Sequence, residues 1–167
     1  LGVVPIDGLR IRGSRAYGTL VDPKRCSSKS SLEIHGIPDG ELCGQPTFAE
    51  VWDPLRRALR GRIVAGHNVG FDMGFLRAEV ARIGGACPNV PVIDTALLAR
   101  AVFPRLGKGG YGLDEVVEQL GISLDGVQRH RALPDAQVTA EALVALVPRL
   151  LDRGVTTFLD LQRRCAE

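Results

Sequence analysis

An α/β domain with a mixed sheet flanked by helices is the fold class this sequence predicts, on three observations. Short apolar runs of strand character open the chain, strand and helix patterns alternate behind them, and the composition suits an ordinary core. Hydrophobic residues make up 45% and charged residues 24% of the 167, values that argue against wholesale disorder. A single domain over residues 1–167 is expected, with 152–167 as a C-terminal tail helix.

The elements can be justified in order. Val3-Val4-Pro5-Ile6, the turn pair Asp7-Gly8 and the alternating Leu9-Arg10-Ile11-Arg12 predict a hairpin. Residues 16–21 can add a third strand, stopped by Asp22-Pro23, and residues 24–38 read as loop and short turns. Thr47 and Glu50 form a T-x-x-E capping box. The helix behind it places Val51, Leu55, Ala58 and Leu59 on one face, is bent by Pro54 and stops at Gly61. Residues 62–68 read as a buried strand entering a turn. Met73, Leu76, Val80 and Ile83 then mark one stripe of a helix ended by Gly84-Gly85. A strand over 90–95, a helix over 96–102, a glycine-rich loop over 104–112 and a helix over 113–120 follow. Residues 124–133 are irregular. Pro134 suits a helix start, and Thr139, Ala142, Leu143, Leu146 and Leu150 carry the helical period up to a kink at Pro148. A last helix covers 157–164. Tyr17, Trp52, Phe71 and Phe75 read as core aromatics.

Several classes are disfavoured. No apolar run approaches the roughly 18 residues of a membrane span. The opening residues 1–9, with Pro5, Asp7 and Gly8, lack a signal-peptide pattern. Cys26, Cys43, Cys87 and Cys165 lie far apart without a C-x-x-C pair, which argues against zinc and disulfides and for reduced thiols in a cytoplasm. Lys108 among Gly107, Gly109 and Gly110 lacks the spacing of a phosphate-binding loop, so a flexible loop near a substrate groove is expected.

Three stretches carry a family resemblance. Gly66-His67-Asn68-Val69-Gly70-Phe71-Asp72, with Phe75-Leu76 after it, looks like H-N-x-x-F-D-x-x-F-L; Asp94-Thr95 with Leu98-Ala99-Arg100 looks like D-T-L-x-L-A-R; His130-Arg131-Ala132-Leu133-Pro134-Asp135-Ala136 looks like H-R-A-L-x-D-A. In this order they resemble the DEDDh 3′→5′ exonucleases, the family of the proofreading epsilon subunit of bacterial DNA polymerase III, over roughly residues 16–146. The resemblance implies a ribonuclease H-like mixed sheet. It also implies release of nucleoside monophosphates from single-stranded DNA 3′ ends in proofreading or repair. Partners would be the DNA 3′ end and a polymerase subunit or fused domain, with no membrane.

The chemistry of these residues is consistent with that. Asp72 and Asp135 each fall in the first turn of an expected helix, where the helix dipole favours a carboxylate. Two carboxylates from separate elements suit a hard cation such as Mg²⁺ or Mn²⁺. His130, ahead of the second helix, is placed to take a proton from water. Asp72, Asp135 and His130 are therefore the expected catalytic residues, with Asp72 and Asp135 the metal ligands. His67 and Asn68 are expected to shape the turn and touch substrate, with Phe71 grouped with them at the substrate; Asp94 is expected to cap or anchor a loop. The net charge of +2 excludes nothing, because a carboxylate-lined nuclease can be nearly neutral.

The family's first motif, an Asp-x-Glu on a central strand, has no counterpart. The single D-x-E, Asp39-Gly40-Glu41, follows Pro38 with no apolar strand before it. Leu1-Gly2-Val3-Val4 instead resembles the family's second strand. The chain therefore reads as N-terminally truncated, by about 20 residues, enough for one strand and its connection. Residues 1–167 alone are expected to show little or no exonuclease activity. Competing expectations are a non-catalytic module that binds nucleic-acid ends or a polymerase, and an exoribonuclease, which contacts to the 2′-OH would distinguish.

Overall fold

The computed structural model describes residues 1–104, 106 and 110–166. The Lys108 loop lies outside the described residues. A pair of glycines organises the N-terminal half. β1 (Gly2–Val3) pairs antiparallel with β4 (Tyr17–Gly18), Gly2 opposite Gly18 and Val3 opposite Tyr17. Successive side chains point to opposite faces of a strand, so both glycines share one face. The long helix that begins at Ala132 lies on it: a Cβ at Gly2 would run into the Ala132 backbone, and one at Gly18 would meet the Leu133 side chain. On the other face, Val3 packs with Leu1 against the cluster of Trp52, Leu55, Leu59 and Val80. Between these strands, β2 (Ile6–Asp7) and β3 (Arg10–Ile11) make the expected hairpin, with Gly8 at φ 62°.

The region expected to be loop contains two helices, α1 (Lys29–His35) and α2 (Asp39–Leu42). Neither buries a residue, so the apolar period that marks a packed helix is missing. α1 is instead set by its ends: the Ser28 hydroxyl accepts from the Ser31 N–H, and Gly36 closes it in the left-handed region. Asp39-Gly40-Glu41 lies in α2 with Asp39 accepting from the Ser27 N–H, a local structural role. α3 (Phe48–Leu59) begins at the capping box as expected and continues through Pro54.

β5 (Val64–Gly66), α4 (Val69–Arg82) and β6 (Val92–Asp94) form a parallel β–α–β unit in register Val64–Val92, Ala65–Ile93 and Gly66–Asp94. α5 (Thr95–Val102), α6 (Leu113–Leu120), α7 (Ala132–Leu151) and α8 (Phe158–Ala166) complete the chain. Leu98, Val116, Leu146 and Leu150 are essentially fully buried where these helices meet.

Among the described residues the sheet consists of three separate pairs, β1–β4, β2–β3 and β5–β6, with no strand between β1 and β5. Two expectations need correction. Phe71 and Phe75 are 71% and 55% exposed instead of core. α4 turns Val69, Met73 and Val80 inward, and at 100° per residue Phe71 and Phe75 fall on the opposite side. Tyr17 is also open to solvent, on the face opposite Gly18; Trp52 is buried as expected.

Gly2 tests this packing. Gly2→Ala should lower stability by about 1–3 kcal/mol, because backbone has to move. Gly13→Ala, where an added methyl meets nothing, should change it by under about 0.5 kcal/mol. Urea denaturation of the two variants measures the difference.

Candidate functional site

Because β5 and β6 run parallel, their C-terminal ends, Gly66 and Asp94, lie side by side. β5 passes through His67 and Asn68 into α4, and β6 passes directly into α5. Asn68 takes φ 55°, a left-handed conformation that asparagine tolerates better than most residues, and reverses the chain within one position. Asp94 fastens the arrangement: its Oδ1 accepts the Ala96 N–H at 2.9 Å and the Asn68 N–H at 3.0 Å. One oxygen thus caps α5 and holds the β5–α4 turn, the anchoring role expected of Asp94.

His67 is engaged on both sides. Nε2 lies 2.8 Å from the Tyr111 carbonyl oxygen, which can only accept, so Nε2 carries a proton. Nδ1 lies 3.0 Å from the Thr95 hydroxyl. Burial pushes the His67 pKa down and favours the neutral ring; the Thr95 hydroxyl, whose oxygen also lies 3.2 Å from the Gly66 carbonyl oxygen, has one proton for that carbonyl and for Nδ1. His67 therefore ties the turn to α5 and to the segment before α6. The turn-shaping part of its expected role is visible in these contacts.

Asp72 sits in the first turn of α4. The residue keeps exposed surface, yet its carboxyl group is crowded enough for desolvation to raise its pKa, and the Asp94 charge raises it further. Phe71, its neighbour in sequence, packs against Phe75 with ring centroids 4.8 Å apart and planes tilted by 53°.

The second group lies where α6 and α7 start. Asp135, in the first turn of α7, is ion-paired with Arg129. Arg129 Nε also donates to Asp114 Oδ1 in the first turn of α6, at 2.6 Å. His130, exposed at φ 61°, occupies the turn between Arg129 and the helix. The charges of Asp94, Arg129 and Glu115 also act on the His67 ring, after burial and the Tyr111 hydrogen bond.

Asp72 and Asp135 offer oxygen donors of the class that Mg²⁺ or Mn²⁺ prefers. Among the described residues, however, no three His, Cys, Asp or Glu side chains gather into a group that could hold an ion. Asp135 is matched by a guanidinium, both His67 nitrogens are engaged, and the acidic neighbour of Asp72 is Asp94. The described donor set does not fit a complete cation centre. Arg129 and Asp114 escaped the sequence reading, since their 15-residue separation has no periodic signature; the junction role of Thr95 could have been suspected from Asp94-Thr95 at a strand end.

Two outcomes follow. Asp94→Ala should cost about 2 kcal/mol in chemical denaturation, since two N–H groups lose their acceptor. Asp72→Asn should raise Tm at pH 7 by about 1–2 °C. The folded pKa of Asp72 lies above the unfolded value of 3.8, so the native state disfavours the charged form. That penalty is full above the raised pKa and absent where both states are protonated. Melting curves from pH 7 to pH 3 should show the gain disappearing as pH falls through the window.

Comparison with known proteins matches this arrangement to a family. A family model described as exonuclease matches residues 1–143. A DNA polymerase III subunit epsilon-like protein of Rhodobacter capsulatus is 38% identical over 153 residues, covering 92% of this chain and 21% of its own. A DNA polymerase III of PolC type from Thermotoga maritima is 34% identical over 164 residues, 12% of its length. The chain thus spans about a fifth or less of the length of these two relatives. The DNA polymerase III subunit epsilon of Aquifex aeolicus is 33% identical over 165 residues, covering 96% of this chain and 80% of its own. Exonuclease X, solved in complex with 5′ overhanging duplex DNA, shares the fold, with a TM-score of 0.70 at 22% identity over 97% of this chain and 87% of the other. The chain belongs to the exonuclease family.

Proposed function

We propose that this chain is the nuclease fold of a metal-dependent 3′→5′ exonuclease that removes nucleoside monophosphates from single-stranded DNA ends, of the proofreading or repair type. Its partners in this reading are the DNA 3′ end and a polymerase subunit or fused domain, in the cytoplasm. The observation that carries it is Asp72, partly desolvated at the joint end of β5 and β6 beside two exposed phenylalanines, in a chain of the exonuclease family. Exposed aromatic faces suit stacking of unpaired bases, a contact worth about 1–3 kcal/mol per base. Phe71 is thus a base-contacting residue, and His67 and Asn68 serve the substrate through the turn that presents it.

In this reading Asp72 and Asp135 would supply two of the carboxylates that hold Mg²⁺ or Mn²⁺, whose charge would stabilise phosphate oxygens. His130 takes one proton of the attacking water as its oxygen bonds to phosphorus; the bond from phosphorus to the 3′ oxygen breaks, that oxygen takes up a proton, and a 5′-monophosphate leaves. The donor set among the described residues is incomplete, so residues 1–167 should bind a DNA end and leave it intact. The Arg129–Asp135 pair gives some support to a second reading, a non-catalytic end-binding module.

The test compares residues 1–167 with the full product of the reading frame that encodes them. With Mg²⁺ or Mn²⁺ the full product should shorten a 5′-labelled single strand stepwise, and His130→Ala should slow it by about 10²–10⁴-fold. Binding without turnover in the full product would favour the end-binding module. If it neither binds nor shortens matched DNA and RNA strands, the nuclease proposal is wrong.

A further inference from the structure

At the end of β5 opposite the candidate site, arginines gather from two segments. On α3, Asp53, Arg56 and Arg57 fall at i, i+3 and i+4, a solvent stripe turned away from the buried Val51, Leu55 and Leu59, and Arg60 follows as the exposed, extended residue that ends the helix. Arg62 follows the helix. The β2–β3 hairpin and the turn after it supply Arg10, Arg12 and Arg15. Asp7 joins the segments: Oδ2 accepts from Arg12 Nε at 3.1 Å and Oδ1 from an Arg62 terminal nitrogen at 3.3 Å.

Residues 5–15 and 53–62 hold seven of the chain's 21 basic residues and two of its 19 acidic ones, leaving 14 basic and 17 acidic residues elsewhere. A nearly neutral chain is thus divided into a cationic face and a net-acidic remainder. Arg10, Arg15, Arg57 and Arg60 are exposed and stand outside the ion pairs of the described residues.

We propose that this face is a track for the phosphodiester backbone of a nucleic acid whose end lies at the candidate site. The proposal rests on the nucleic-acid reading above. Guanidinium groups match phosphate geometry, and phosphate contacts come mainly from such side chains and backbone N–H groups. Gly8, Gly13, Ser14 and Gly61 lie between the arginines and leave backbone approachable. An acidic protein partner fits less well, because protein-interface hot spots combine arginine with tryptophan and tyrosine, and neither segment contains an aromatic residue. Fully extended, residues 62–68 would span about 20 Å, so at the stacked rise of about 3.4 Å per nucleotide a bound strand extends up to about six nucleotides from its end to reach the track.

Fluorescence anisotropy with labelled single strands, in chelator so that no turnover occurs, decides this. Replacing Arg10, Arg15, Arg57 and Arg60 together by Gln should weaken a 20-mer about tenfold or more and reduce the slope of log affinity against log salt by about 3, at about 0.7 per phosphate contact. A 4-mer should be unaffected. A control with Gln at Arg25, Lys29, Arg77 and Arg163 should change the 20-mer little. If the fourfold variant does not fold, the Arg10/Arg15 and Arg57/Arg60 pairs should each give about half the change in slope. An unchanged 20-mer, an equal loss in the control, or an equal loss for the 4-mer overturns the track while leaving the nucleic-acid reading intact. Wild-type protein that ignores the 20-mer but binds polyglutamate overturns both.

Discussion

The arrangement around the candidate site depends on one oxygen atom. Asp94 Oδ1 accepts from the first turn of α5 and from the turn that leads into α4. Without it, two helix starts would each need another acceptor, and the parallel pair β5–β6 would carry loosely attached helices. The same carboxylate adds negative charge beside Asp72, so the bond that orders the site also makes its acid harder to ionise. Structural order and electrostatic cost arise from a single group here, a pattern common where pKa values are perturbed at functional sites.

Around this lock the molecule is assembled from pieces that reach each other through helices more than through sheet. β1–β4 meets the C-terminal half through the start of α7, and β5–β6 meets it through α7 and α8. His67, held between Thr95 and the Tyr111 carbonyl, joins the groups contributed by each half. Its neutral form is the one those partners accept, so acidification through the ordinary histidine range works against the native state.

Much of this was legible in the residues and some was not. The capping box at Thr47 and Glu50 marked α3, and the stripe of Met73, Leu76 and Val80 marked α4, because each pattern reports burial. α1 escaped because Ser28 and Gly36 define it while nothing in it is buried. Phe71 and Phe75 were misplaced by residue type alone, although their phase relative to Val69 and Met73 put them outside. At the site, the order of motifs singled out Asp72, His130 and Asp135 as candidates, but contacts made by chance of tertiary approach cannot be read that way. The Arg129 bridge between α6 and α7 is one.

The glycine floor beneath α7 has a mechanical consequence. Where backbone rests directly on backbone, no flexible side chain absorbs a displacement. A slide of the N-terminal hairpins by a fraction of an ångström would push on Ala132 and, three residues further along a stiff helix, on Asp135. Whatever grips those hairpins has a rigid lever on the acid at the other end.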